Sequence, residues 1–148
     1  MNSEDYKKEV RRLDGLIDQC KATIRRIEAD EEEAAYAYSS ALRFEEDFHG
    51  FVNRSRNVNT RLTGTNRAHF LISFLNGMGD VLAGARYIQA KMTLDRLINN
   101  IVAKRRELDN EHSRQTEKLK SYQREKNNAN RQYEIKKREE QAALGRGC

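Results

Sequence analysis

From Tyr6 onward, apolar residues recur at alternating steps of four and three: Tyr6, Val10, Leu13, Ile17, Cys20, Ile24 and Ile27. That stepping places them on one narrow stripe of a helix, the a/d seam of a coiled coil. The stripe continues through Ala34, Tyr38, Ala41, Phe48 and Val52, with Glu31 and Glu45 in the two remaining slots. A carboxylate at a seam position costs stability and tunes register or partner choice. Ser3, followed by Glu4 and Asp5, supplies a cap and a favourable first-turn charge. The pattern predicts a first helix over residues 3–55.

Periodicity then fails. The stretch VNRSRNVNTRLTGTN, residues 52–66, gathers asparagine, serine, threonine and glycine, which marks a connection, assigned to residues 56–66. Thr65 or Asn66 can cap a second helix, predicted over 67–143. Its apolar series is Leu71, Phe74, Met78, Val81, Ala85, Ile88 and Met92. The register slips by one residue near Asp95 and resumes as Leu94, Ile98, Ile101, Leu108, Leu119, Tyr122, Ala129 and Tyr133, with Arg105, His112, Gln115 and Lys126 between them. Gly77, Gly79 and Gly84 each weaken a helix interior by about 1 kcal/mol relative to alanine, so the helix is either kinked or broken near 77–84.

The expected fold is all-α: an elongated antiparallel two-helix hairpin forming a single domain over residues 1–148, with the second helix longer than the first. Folding about residue 61 pairs residue i with about 122 − i. On that arithmetic Tyr122 to Gly145 overhangs with no internal partner, and Tyr122 and Tyr133 await another chain. Phe70, Phe74 and Met78 are further candidates for partner contact, because aromatics and methionine anchor interfaces more often than charged residues do. Hairpin core is the competing reading for those three.

Composition agrees with long helices. Of 148 residues, 34% are charged and 37% hydrophobic, with no proline and no tryptophan, close to the profile of coiled coils. No apolar run is long enough to span a membrane, and the charged N-terminus MNSEDYKKEV lacks the apolar region of a conventional signal peptide. The net charge is +5, yet acids and bases alternate in RRIEADEEE and KRRELDNEHSR. Interleaving of that kind belongs to a solvated helix face, and no nucleic-acid-binding signature accompanies it.

Catalytic and metal chemistry find no support in the residues. His49, His69 and His112 are scattered, and no spacing of Cys, His and Asp suits zinc. GMGDVLAG has glycines but no preceding strand and no P-loop lysine. No cofactor is expected. Cys20 falls in the seam and reads as a small core residue; Cys148 reads as a free terminal thiol, since a prenylation box needs three residues after the cysteine.

The connection LTGTNRAHF carries a family resemblance. Leu62-Thr63-Gly64-Thr65, with Phe70 beyond it, resembles the hairpin turn of the WXG-motif small proteins of type VII secretion. It resembles more closely the helical proteins encoded beside LXG toxins in Gram-positive bacteria. Leucine stands here where that family's turn motif has tryptophan. Glycine permits the left-handed backbone of a tight turn, and a large apolar residue before it can plug the seam. The family's export signal, Tyr-x-x-x-Asp/Glu, is absent: Tyr133 is followed by Lys137 and Tyr122 by Lys126.

The resemblance implies a targeting chaperone. It would bind the helical domain of an LXG toxin, together with a second small helical protein that supplies the export signal. Self-association is a further expectation, as is a cytoplasmic location with export alongside the partner. Flagellar and type III export stalk proteins of the FliJ type are a second resemblance, sharing the length, basic charge and two-helix layout. A phage or other coiled-coil structural adaptor is the third reading.

Overall fold

The first four N–H groups of a helix have no partner within it, and what they find outside decides where the helix begins. The computed structural model describes residues 1–63 and 85–147. Helix α1 spans Ser3–Thr63 and helix α2 spans Ala85–Arg146. Asn2 Oδ1 accepts from the Asp5 N–H at 2.9 Å, and Asp5 Oδ2 accepts from the Asn2 N–H at 3.1 Å. This is a reciprocal capping box with Asn2 as the cap. Ser3, expected to cap, is instead the first helical residue.

Ser3 is spent on α2. Its N–H donates to Glu140 Oε1 at 2.9 Å, and its hydroxyl donates to Glu140 Oε2. A carboxylate from the second helix thus sits at the positive end of the first. The Ser3 hydroxyl, then the Ser3 backbone N–H, hold the Glu140 carboxyl below its ordinary range, and Lys136 adds to the effect. Because the folded-state value is depressed, this tie contributes above the ordinary glutamate range and is lost as pH falls through the depressed value. Amide exchange at Ser3, corrected for intrinsic rate, should therefore lose protection on acidification. Glu140→Gln should remove that pH dependence; an unchanged profile would show that Glu140 does not hold the helix start.

Two helices packed on each other, with no strand among the described residues, make this an all-α helical hairpin. The contacts fall into two compact units, Met1–Glu31 with Glu107–Cys148, and Glu32–Arg106. In the first unit the α1 stripe is the core: Leu13, Ile17, Cys20 and Ile27 are buried, with Leu108 and Ala129 from α2. Leu13, at 1% exposure, is the only large side chain fully enclosed among the described residues. Polar cross-ties join the same two segments: Lys126 Nζ pairs with Asp14 Oδ1, and His112 Nε2 lies 3.3 Å from Glu28 Oε1. Glu31 occupies its seam slot half-buried, with Oε1 lacking a hydrogen-bond partner among the described residues. Such an acceptor lowers stability, as expected of a seam carboxylate.

In the second unit Ala41 and Leu94 are buried. Phe48 stacks on Tyr87 with ring centroids 5.4 Å apart and on Phe44 at 6.2 Å. The Arg105 guanidinium sits over the Tyr38 ring at 5.2 Å, an arrangement in which the ring face attracts the cation.

Three features differ from the sequence reading. Helix α1 continues through residues 56–63, assigned to a connection, because the polar residues there are compatible with a helix that is already nucleated. Residues 64–66, the start of α2 placed at residue 67 and the glycines at 77–84 lie outside the described residues. The α2 seam also runs differently: Tyr87 is half-buried and Leu94 buried, while Ile88 and Met92, taken as seam residues, are 53% and 50% exposed. Tyr87 and Leu94 are one heptad apart, so the stripe needs no slip at Asp95.

The largest correction concerns pairing. Asp14 with Lys126 and Glu28 with His112 both add to 140, and Ser3 with Glu140 to 143, not to 122. The segment from Tyr122 to Glu140 is therefore paired with the N-terminal part of α1. Only the last helical residues, past Glu140, extend beyond the start of α1.

Candidate partner-binding groove

The residues proposed from sequence fare unevenly. Leu62 and Thr63 form the end of α1; Gly64 and Thr65 of the turn motif, and Phe70, Phe74 and Met78, lie outside the described residues. Tyr122 and Tyr133 are half-buried in the hairpin seam. Lys137 lies over the Tyr133 ring at 5.6 Å, and Arg12 of α1, whose charge is favoured first by its Glu9 partner, also feels Glu125 and Tyr122 of α2. The overhang argument for a partner at these two tyrosines therefore fails: α1 already occupies that face.

The exposed apolar surface is elsewhere. Tyr36, Leu42, Phe44, Ile88, Met92, Leu97 and Val102 all remain exposed, and all belong to the unit Glu32–Arg106. In the first unit only Met1, Ile135 and Leu144 do so among the described residues. Contiguous exposed apolar surface on a soluble chain marks an interaction site more often than isolated apolar residues do.

Part of this surface is concave. Ala41 and Phe44 of α1, with Ala90, Thr93, Leu94 and Leu97 of α2, line an open groove of about 380 Å³. Helical spacing explains the grouping. Ala90, Thr93 and Leu97 stand three and four residues apart and so share one side of α2, and Phe44 is three residues past Ala41 on α1. The small residues Ala41 and Ala90 create the hollow; Phe44, at 60% exposure, and Leu97, at 50%, form its walls. Thr93 is the one side chain in the lining with a polar group, so the groove offers shape and apolar area rather than chemistry.

Sequence reasoning missed Phe44 and Leu97 because it followed only seam positions. The available signal was their apolarity one step off the seam on both helices. Among the described residues there is no group of three or more His, Cys, Asp and Glu placed to hold a metal, and no helix is long and apolar enough to cross a membrane. Neither family models, curated proteins nor solved structures yielded a match to this chain.

Proposed function

We propose that this protein is a non-catalytic adaptor that binds a helical partner through the apolar groove of its Glu32–Arg106 unit. The observation that carries the reading is the groove itself: an aromatic and a leucine stand exposed over a floor of alanines and Leu94. Ridges of one helix pack into such hollows on another, and an amphipathic helix laid in an apolar groove is a recurrent recognition mode.

The turn sequence Leu62-Thr63-Gly64-Thr65 narrows the partner. By resemblance it is the helical domain of an LXG toxin, with this chain as a targeting chaperone for type VII export beside a second small helical protein. The groove and the turn motif support the reading from independent parts of the chain.

Co-expression with the LXG domain from the same gene neighbourhood tests it. Wild type should co-purify with that domain, and Phe44→Asp with Leu97→Asp should abolish co-purification while far-UV circular dichroism and melting temperature stay near wild type. Binding of a flagellar or type III export ATPase with no binding of an LXG domain would replace this reading with the export-stalk one. Full-yield capture by the double variant would remove the groove from the interface.

A further inference from the structure

Helix α2 carries a second periodic stripe beside its seam. Ile88, Met92, Asp95, Asn99, Val102 and Arg106 follow one another at steps of four and three, and all are exposed. Such stepping belongs to a helix that packs along another, yet α1 does not cover these residues. Each stands one position after a seam slot of α2. On α1 the positions one after the seam are Glu32, Ala35, Ser39, Leu42, Glu46 and His49. The groove residues Phe44 and Leu97 each stand one position before a seam slot and share a face. In an antiparallel pair the two following stripes therefore share the opposite face.

Charge in this unit is segregated by helix. Residues 32–50 of α1 hold five acids, Glu32, Glu33, Glu45, Glu46 and Asp47, and one base, Arg43. Residues 87–106 of α2 hold five bases, Lys91, Arg96, Lys104, Arg105 and Arg106, and one acid, Asp95. Glu32, Glu46, Lys91 and Arg106 edge the uncovered face and form no ion pair among the described residues. Facing residues of this unit add to 135 for Phe48 with Tyr87 and to 143 for Tyr38 with Arg105. Glu46 is thus level with Lys91, and Glu32 with Arg106.

We infer that a second copy of this chain covers this face, related by a twofold axis running along the helices, so that α2 of each copy lies on α1 of the other. That rotation keeps every level. Lys91 meets Glu46 of the second copy, Arg106 meets its Glu32 and Val102 meets its Ala35. Every neighbouring pair of helices is then antiparallel, and every pair sets a basic helix against an acidic one. The charge pattern names the occupant. A helix of one sign suits one half of the face and is repelled by the other, whereas a rotated copy suits both halves twice over. A twofold axis across the helices would lay α1 on α1 and set acid against acid. Asp95 and Asn99 are the polar members of the stripe, and polar residues at such positions fix alignment at a cost in stability. The groove is on the other face and stays open, so the inference does not rest on the adaptor reading.

Sedimentation equilibrium of the full chain provides the test. Wild type should approach twice its 17.3 kDa mass by ~100 μM, a concentration that fills a micromolar dimer. Ile88→Glu with Val102→Glu should weaken association at least ~10-fold, as loss of central apolar contacts does. Both sites are open to water in the single chain, at 53% and 38% exposure, so the fold should tolerate the change. Lys91→Glu with Arg106→Glu should weaken association as well, and adding Glu32→Lys with Glu46→Lys should restore it, with helicity unchanged throughout by circular dichroism. Phe44→Asp with Leu97→Asp should leave the dimer intact. A chain that stays monomeric overturns the proposal. So does a dimer that is indifferent to the Ile88 and Val102 changes, or one that is lost with the groove changes. A Lys91 and Arg106 variant that associates like wild type overturns the packing of α2 on α1. The two readings fail separately: a dimer behaving as stated without any LXG binding removes the toxin assignment alone, and LXG binding by a monomer removes the second copy alone.

Discussion

Leu13→Ala is expected to destabilise the hairpin by about 3 kcal/mol, within the ~2–5 kcal/mol seen for leucine truncation in packed interiors. Leu13 is 1% exposed, whereas its stripe neighbours Ile17, Cys20 and Ile27 retain about 6% each. Helix-to-helix pairing, with partner numbers adding to between 140 and 143, puts Leu13 level with Ala129, itself buried at 7%. A large side chain facing a small one fills that layer, and truncation would leave alanine opposite alanine with no neighbour able to collapse into the void. Two long helices offer little other core to absorb the loss. Urea unfolding followed by circular dichroism measures it, with Leu144→Ala as control: Leu144 is 76% exposed and should shift the midpoint hardly at all. A Leu13 variant as stable as that control would mean that the α1 stripe is not what holds the helices together.

Tyr122→Asp combined with Tyr133→Asp should unfold the hairpin around the N-terminal half of α1 rather than selectively remove a partner. Both tyrosines are half-buried on α2 in the stretch bracketed by the His112–Glu28 pair and the Ser3–Glu140 tie. Each aspartate would take a charge out of water beside apolar residues and remove aromatic area, and forced burial of an unpaired charge is among the few single changes with effects of several kcal/mol. The expected readout is a loss of helicity at 25 °C together with rapid amide exchange in residues 3–27. Retained helicity and wild-type exchange in that segment would show that the tyrosines are dispensable to the pairing. The comparison with Phe44→Asp and Leu97→Asp is then informative, because those positions are already open to water and their charge costs little in the free protein.

Much of α1 was legible. Tyr6, Val10, Leu13, Ile17, Cys20, Ile24 and Ile27, and beyond them Ala34, Tyr38, Ala41 and Phe48, are all buried or half-buried, and off-stripe neighbours such as Tyr36, Leu42 and Phe44 are exposed. In α1 the apolar residues of the first four turns occur almost solely on the stripe, so period and burial coincide. In α2 they do not. Ile88, Met92 and Leu97 are as apolar as the true seam residues yet face solvent, and a stripe traced from Leu71 onward led onto Ile88 and Met92. The surplus that misled the periodicity is the same surplus that walls the groove with Leu97. Helix capping was misread for a simpler reason: Asn2 and Ser3 are both competent caps, and the choice turned on Glu140, which is 137 residues from Ser3.

A repeat of seven is also a source of ambiguity, since sliding one helix along the other by a whole heptad brings the two stripes face to face again. Pairing about 122 instead of 140–143 was an error of this type, close to three repeats. The molecule removes that translational degeneracy with charge. Lys126 is opposite Asp14 in the native alignment, but a shift of one heptad in one direction would bring it to Lys21, and in the other to Lys7. Either neighbouring alignment exchanges an attraction for a repulsion at a half-buried site. His112 likewise exchanges Glu28 for Lys21 or Ala35. The hydrophobic stripe therefore decides that the two helices associate, and a small number of unevenly spaced charges acts as a vernier that decides where they stop.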